Sequence, residues 1–334
     1  MEDVFYPGPF SFRMGLRRGE PGEFFRARAG DETLIAERKK ILANHPERHC
    51  VLLPESEPLL EEFNEQLEEW GAVQSPLSGQ ELGQTIASDY LLLEPDDNGM
   101  PILLGGCVCF PSSWAFEEKV GRPLDWIHAV VPTLNETLGE KARSFLTQLQ
   151  SGQAWLRTNW GLTATANLNQ HPALNLPRLS SETDPASVRF RIERQALVAQ
   201  PKTGGILFGI RLETHPLPTL KANPAARAGL LEALQTMPPE IAQYKNLTPA
   251  RSNLLDYLQG CRQPVFNILE IAKRGERALV SGNQVKYYEN VQHENKSTQV
   301  HGDAFGWRGL NHDPGGSFSG GKKTQQTGET GPDL

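Results

Sequence analysis

The chain has no excess of basic residues, few cysteines and no long apolar run, and each shortage removes a class of function. Lys plus Arg number 33 against 40 Asp plus Glu, a net charge of −7. A nucleic-acid binder carries a basic excess or a basic stripe, and neither is visible. No apolar run approaches the ~20 residues that a membrane-spanning helix needs. Four cysteines in 334 residues are too few for a disulfide framework. The start, Met1-Glu2-Asp3-Val4, lacks the basic and apolar stretches of a secretory signal. The expectation is a soluble, cytoplasmic protein with neither membrane nor nucleic acid as a partner. The glycosylation-type triplets at Asn135 and Asn246 are then chance matches.

Common catalytic signatures are missing too. There is no phosphate-cradling loop ending in Lys-Ser/Thr, no Gly-x-Gly-x-x-Gly, no His-Glu-x-x-His and no Gly-x-Ser-x-Gly. Gly105-Gly106 sits in an apolar run without the rest of a dinucleotide fingerprint. The last 34 residues hold nine of the 31 glycines and only five of Leu, Ile, Val, Phe or Trp. Such a stretch buries too little surface to offset its ordering entropy, which predicts a disordered tail. The expected division is one domain over 1–275 with an N-terminal helical extension, then an extension over 276–334, disordered from about 293.

What is present is periodic. Helical spacing predicts helices over Asp31–Asn44 and Ser56–Trp70, the second with an acidic outer face. Pro101–Phe110 reads as a buried strand, and Pro111-Ser112-Ser113 as a helix start. Thr133 and Glu136 match a capping box for a helix over Thr133–Gln150. Ala154–Leu162, Val188–Val198 and Ile206–Leu212 read as strands, the last two as an antiparallel hairpin around Pro201–Gly205. Helix is expected over Ala225–Tyr244, interrupted at Pro238-Pro239, and over Arg251–Lys273. Strands without alternating βα units make the fold α+β.

Three groups of residues could carry chemistry. Cys107 and Cys109 share a strand face but supply too few ligands for a thiolate metal site; Cys50, beside His49, and Cys261 add none. Their simpler role is as small buried hydrophobes. His128 stands in the apolar stretch Trp126–Pro132, where an imidazole serves either as a packed core group or as a metal ligand. His45, His49, His171, His215, His293, His301 and His312 lie at helix ends, before prolines or near the tail. Arg157, Arg189, Arg191, Arg194 and Arg211 cluster on strands, suited to carboxylates or to surface ion pairs.

In order along the chain, six stretches resemble the alpha-subunit family of haem-dependent oxidative N-demethylase. They are Pro9–Leu16, Phe110–Trp114 with Glu118–Gly121, Leu124–Pro132, Arg157–Trp160, Arg191–Gln195 and Thr203–Arg211. The match departs at Val130-Val131-Pro132, where a proline is expected directly before the valine. The resemblance implies a PAS-like antiparallel sheet whose helices enclose one haem b. It also implies oxygen-dependent removal of a methyl group from a small secondary amine such as dimethylamine, giving formaldehyde and the shorter amine. Electrons would come from NADPH through a separate flavin and iron–sulfur reductase subunit, with oligomer formation open. His128, the one histidine inside a shared motif, becomes the expected axial ligand, with His171 and His215 next in line. Arg157, Arg191 and Arg194 suit haem propionates, or an ion pair with Glu193. Trp114, Trp126 and Trp160 are either core aromatics or a face for the amine cation. The second reading is a haem-binding sensor or carrier without turnover; the third is a domain that kept the fold and lost the cofactor.

Overall fold

The computed structural model describes residues 4–150 and 153–260, together with the backbone of strands over 277–281 and 284–288. The chain divides into two compact units, residues 1–265 and 266–334. The described part of the second is an antiparallel pair, β8 (Arg277–Ser281) and β9 (Gln284–Tyr288). Cys261, His293, His301, His312, the expected helix beyond residue 260 and the predicted tail lie outside the described residues.

The first unit is built on one antiparallel sheet, β1 (Arg17–Gly19), β2 (Cys50–Leu52), β3 (Asp89–Pro95), β4 (Pro101–Cys107), β5 (Ala154–Thr163), β6 (Arg189–Ala199) and β7 (Ile206–Pro216). Its order is β1-β5-β6-β7-β3-β4-β2. The helices are α1 (Pro21–Phe25), α2 (Asp31–Asn44), α3 (Pro46–His49), α4 (Glu57–Glu69), α5 (Gly79–Thr85), α6 (Leu124–His128), α7 (Glu140–Leu146), α8 (Leu217–Ala222), α9 (Pro224–Thr236), α10 (Pro239–Tyr244) and α11 (Arg251–Gln259). The fold is α+β. The β6–β7 hairpin forms where alternation placed it, and β5 joins it without a register break from Ala154↔Val198 to Thr163↔Arg189.

That register decides which side chains meet. Directly paired residues project to one side, and neighbours in sequence to opposite sides. One side carries Ala154, Ala196, Val198 and Leu207 under Phe25, Leu59 and Phe63, and further along Trp160, Phe190 and Ile192 under Leu220, Leu230 and Leu254. The other carries Leu91, Leu93, Leu103 and Phe208, covered by Phe116, Ile127 and Leu146. Gly105 and Gly106 let β2 and β3 flank β4 closely. A Cβ on Gly106 (φ +152°) would lie 2.2 Å from the Tyr90 carbonyl oxygen, and one on Gly105 2.8 Å from the Leu52 Cα.

Two local expectations fail. Thr133 does not cap a helix through its hydroxyl; it takes a positive φ of 60°, and a π-helical turn over Asn135–Gly139 precedes α7. No helix starts at Pro111-Ser112-Ser113 either. Ser113 has φ +64°, and Ser112 forms an isolated bridge to Gln170.

Candidate functional site

The candidate site lies on the sheet face that carries Phe208 and Ile210. Pairing places Arg157 beside Gln195 and Ile210, Asn159 beside Glu193, and Gly161 beside Arg191. Over this floor comes the segment between Ser113 and Thr133, which delivers α6. Both flanking residues sit in the left-handed region without being glycine, at a cost of about 1–2 kcal/mol each. Strain of this kind persists only where surrounding contacts over-determine it.

His128 ends α6 and is half-buried. Its ring nitrogens make no hydrogen bond among the described residues. Burial, then the charge of Arg157, push its pKa down to about 4 against the opposing pull of Asp125. The imidazole is therefore neutral at pH 7 with a lone pair available. Arg157 is half-buried as well, and its Nε is shielded from solvent with no hydrogen-bond partner. Burial lowers its pKa, with Glu193 and Tyr6 opposing.

Glu193 is a carboxylate of this face and the organising residue that sequence reading left in a secondary role. Ser112 Oγ donates to its Oε1, while Asn159 Nδ2 and Gln195 Nε2 donate to its Oε2 at 3.2 and 3.1 Å. Pairing at one strand position brings Asn159 there, a register that sequence alone did not supply. Lys245, following α10, is a second residue not anticipated. Its Nζ donates to the Trp160 carbonyl oxygen at 2.9 Å and stands 5.2 Å from the indole centroid. Burial lowers its pKa to about 8, opposed by Glu193 and reinforced by Arg157.

The arginines expected to act together have different placements. Arg191 is buried and ties the loop before α6 to the sheet. Its Nε donates to Ser112 Oγ at 2.8 Å, Nη1 to the Leu168 carbonyl at 2.9 Å, and Nη2 to the Phe110 carbonyl at 2.5 Å. Arg194 pairs in register with Thr158, so strand alternation puts it on the face opposite Arg157. There it donates to Glu213 and Thr158, both at 3.2 Å. Arg157, Arg191 and Arg194 thus cannot surround one ligand on one face.

The tryptophans separate for the same reason. Trp160 is buried on the opposite face, with Phe5 and Phe190 centroids 5.4 and 6.0 Å away. Trp126 is 46% exposed under Lys119 and Arg122. Trp114 alone packs on the His128 side. His171 is held by Glu117 at 3.0 Å and by the Ala173 amide, and stacks edge-on to His49. His215 projects to the side of Arg194, through its pairing with Phe190.

Among the described residues, the imidazole of His128 and the guanidinium of Arg157 make no hydrogen bond, while Glu193 is anchored by three donors. Residues 73–255 match the family described as haem-dependent oxidative N-demethylase, alpha subunit-like. The match covers more than half of the chain, and the protein belongs to this family. That description carries haem dependence and, in the word subunit, a partner chain. No helix among the described residues is long and apolar enough to cross a membrane.

Proposed function

We propose that the protein is a haem-dependent oxidoreductase that removes a methyl group from a small secondary amine of the dimethylamine type, using oxygen, with formaldehyde and the shorter amine as products. The observation that carries this reading is the pairing of His128 and Arg157. His128 is half-buried on α6 with no hydrogen bond to its ring among the described residues, and Arg157, on the strand beside it, has a buried Nε without a partner, in a chain of this family. An imidazole kept neutral suits iron, and a guanidinium without an acceptor suits a propionate. The residues therefore fit haem b. The strand order β4-β3-β7-β6-β5, with the first of these strands in the chain between the second and the last, supports a PAS-like arrangement.

Haem, when bound, supplies the oxygen chemistry that side chains lack. His128 would hold the metal through an imidazole nitrogen, and Arg157 would orient the group by donating to a carboxylate. Glu193, kept in place by Ser112, Asn159 and Gln195, accepts from the ammonium of the amine, which is protonated at neutral pH. Leu91, Phe208 and Ile210 exclude water from the adjoining surface. Arg191 positions Ser112 and takes no part in holding the cofactor. Electrons arrive from NADPH through a separate flavin and iron–sulfur subunit.

The test is an absorption spectrum of the full-length protein produced with haem supplied, with and without small secondary amines. The expected result is a Soret band that His128→Ala shifts or removes, and amine-dependent oxygen uptake once a reductase is added. A colourless protein, or a band unchanged in His128→Ala, overturns the ligand assignment. Reversible gas binding with no uptake on any small amine assigns the haem to sensing.

A further inference from the structure

Three cysteines meet where β2 runs against β4, away from the face described above. Cys50 and Cys107 are direct partners in this antiparallel pair. The Val108 amide donates to the His49 carbonyl at 2.7 Å, and the Leu53 amide to the Leu104 carbonyl at 3.0 Å. The hydrogen-bonded positions are thus His49/Val108, Val51/Gly106 and Leu53/Leu104. Cys50/Cys107 falls between them, at a non-hydrogen-bonded position, where Cα atoms stand about 4.5 Å apart and side chains approach most closely. That separation lies within the roughly 4.4–6.8 Å that a disulfide spans.

The surroundings are arranged for thiol chemistry. Cys50 is half-buried, whereas Cys107 and Cys109 are buried. Cys109 Sγ is 3.9 Å from Cys107 Sγ, and Arg38 Nη2 donates to Cys107 Sγ at 3.6 Å. A hydrogen bond with Cys107 holds the Cys50 thiol below its usual range despite burial, with Arg38 adding to the effect. Burial pushes the Cys107 thiol up. The pair therefore divides into a half-buried sulfur whose ionisation is eased and a buried one whose ionisation is opposed, the division of labour between attacking and resolving thiols.

We propose that Cys50 and Cys107 form a peroxide-oxidisable dithiol that closes into a cross-strand disulfide. The Cys50 thiolate attacks one oxygen of hydrogen peroxide, the O–O bond breaks, and a sulfenic acid and hydroxide result. Cys107 gives its proton to that hydroxide and its sulfur attacks the sulfenic sulfur. The S–O bond breaks and the sulfenic oxygen leaves as hydroxide, taking a proton from solvent to become water. Two electrons pass from the two thiols to the peroxide, two waters form, and a dithiol reductant reverses the change. The proposal is independent of haem binding.

The test is titration of the full-length protein with hydrogen peroxide, followed by thiol blocking and non-reducing peptide mass spectrometry. The expected product is a Cys50–Cys107 peptide pair lacking two hydrogens, reversed by dithiothreitol and retained in Cys109→Ser. Cys107→Ser should leave a sulfenic acid on Cys50 that dimedone traps. Cys50→Ser should slow oxidation of Cys107 by roughly tenfold or more, since Cys107 and Cys109 are both buried. A Cys107–Cys109 link, a link to Cys261 or to a second molecule, or Cys50 left reduced while other thiols react would each overturn the proposal. The wild-type peptide map decides this even if a variant fails to fold.

Discussion

Arg157 keeps a buried nitrogen without an acceptor, and an uncompensated buried charge weakens a fold. Replacing it by Met should therefore leave the haem-free protein as stable as before, or more stable by about 1 kcal/mol, while loosening haem retention. Urea unfolding and haem transfer to apomyoglobin measure the two effects. Arg191→Met should do the reverse, since it removes donors from four loop atoms; a loss of about 2–4 kcal/mol is expected in the same unfolding assay. His128 and Lys245 write themselves into the pH dependence of the haem-free protein. The unfolded chain binds a proton on His128 more tightly than the folded one does. Stability is complete above about pH 6.5 and falls as pH drops toward about 4, by on the order of 1–3 kcal/mol after solvent screening. His128→Ala should flatten that slope. Lys245, lowered from 10.5 to about 8, makes stability rise as pH increases through that window, and Lys245→Met should remove the rise. Sequence reading reached His128 and Arg157 through shared motifs. Glu193 escaped because its meaning comes from Ser112, 81 positions away, and from a strand register invisible in one dimension.

At the scale of elements, period-two alternation made β6 and β7 legible, and period 3.6 made α2 and α4 legible, because each buries one face against a large core. Local signatures were less dependable where tertiary contacts compete. Thr133-x-x-Glu136 has the letters of a capping box, yet Thr133 takes a positive φ and its carbonyl accepts both the amide and the hydroxyl of Thr137, at 3.0 and 2.7 Å. Thr133→Gly should consequently stabilise the protein, by roughly 0.5–1 kcal/mol, whereas loss of a genuine cap would destabilise it. A thermal melt distinguishes the two signs. Pro111-Ser112-Ser113 failed as a helix start for a related reason, since Arg191 and Glu193 both claim the Ser112 hydroxyl.

Across the whole molecule, ten consecutive pairs between β5 and β6 assign every residue to one of two surfaces. The three motif arginines looked equivalent in sequence; this assignment separated Arg194 from Arg157, and Trp160 from Trp114. Inserting a single alanine after Thr158 would exchange the two surfaces beyond it, sending Asn159 away from Glu193 and turning Trp160 out of its core. Haem retention and folding should both fail, as a Soret titration and circular dichroism would record, whereas the same insertion after the exposed Pro177 should be accommodated. Descent with changes of length is thereby channelled: related chains can lengthen or shorten between these strands, but inside them the spacing is as constrained as the identity of any single residue.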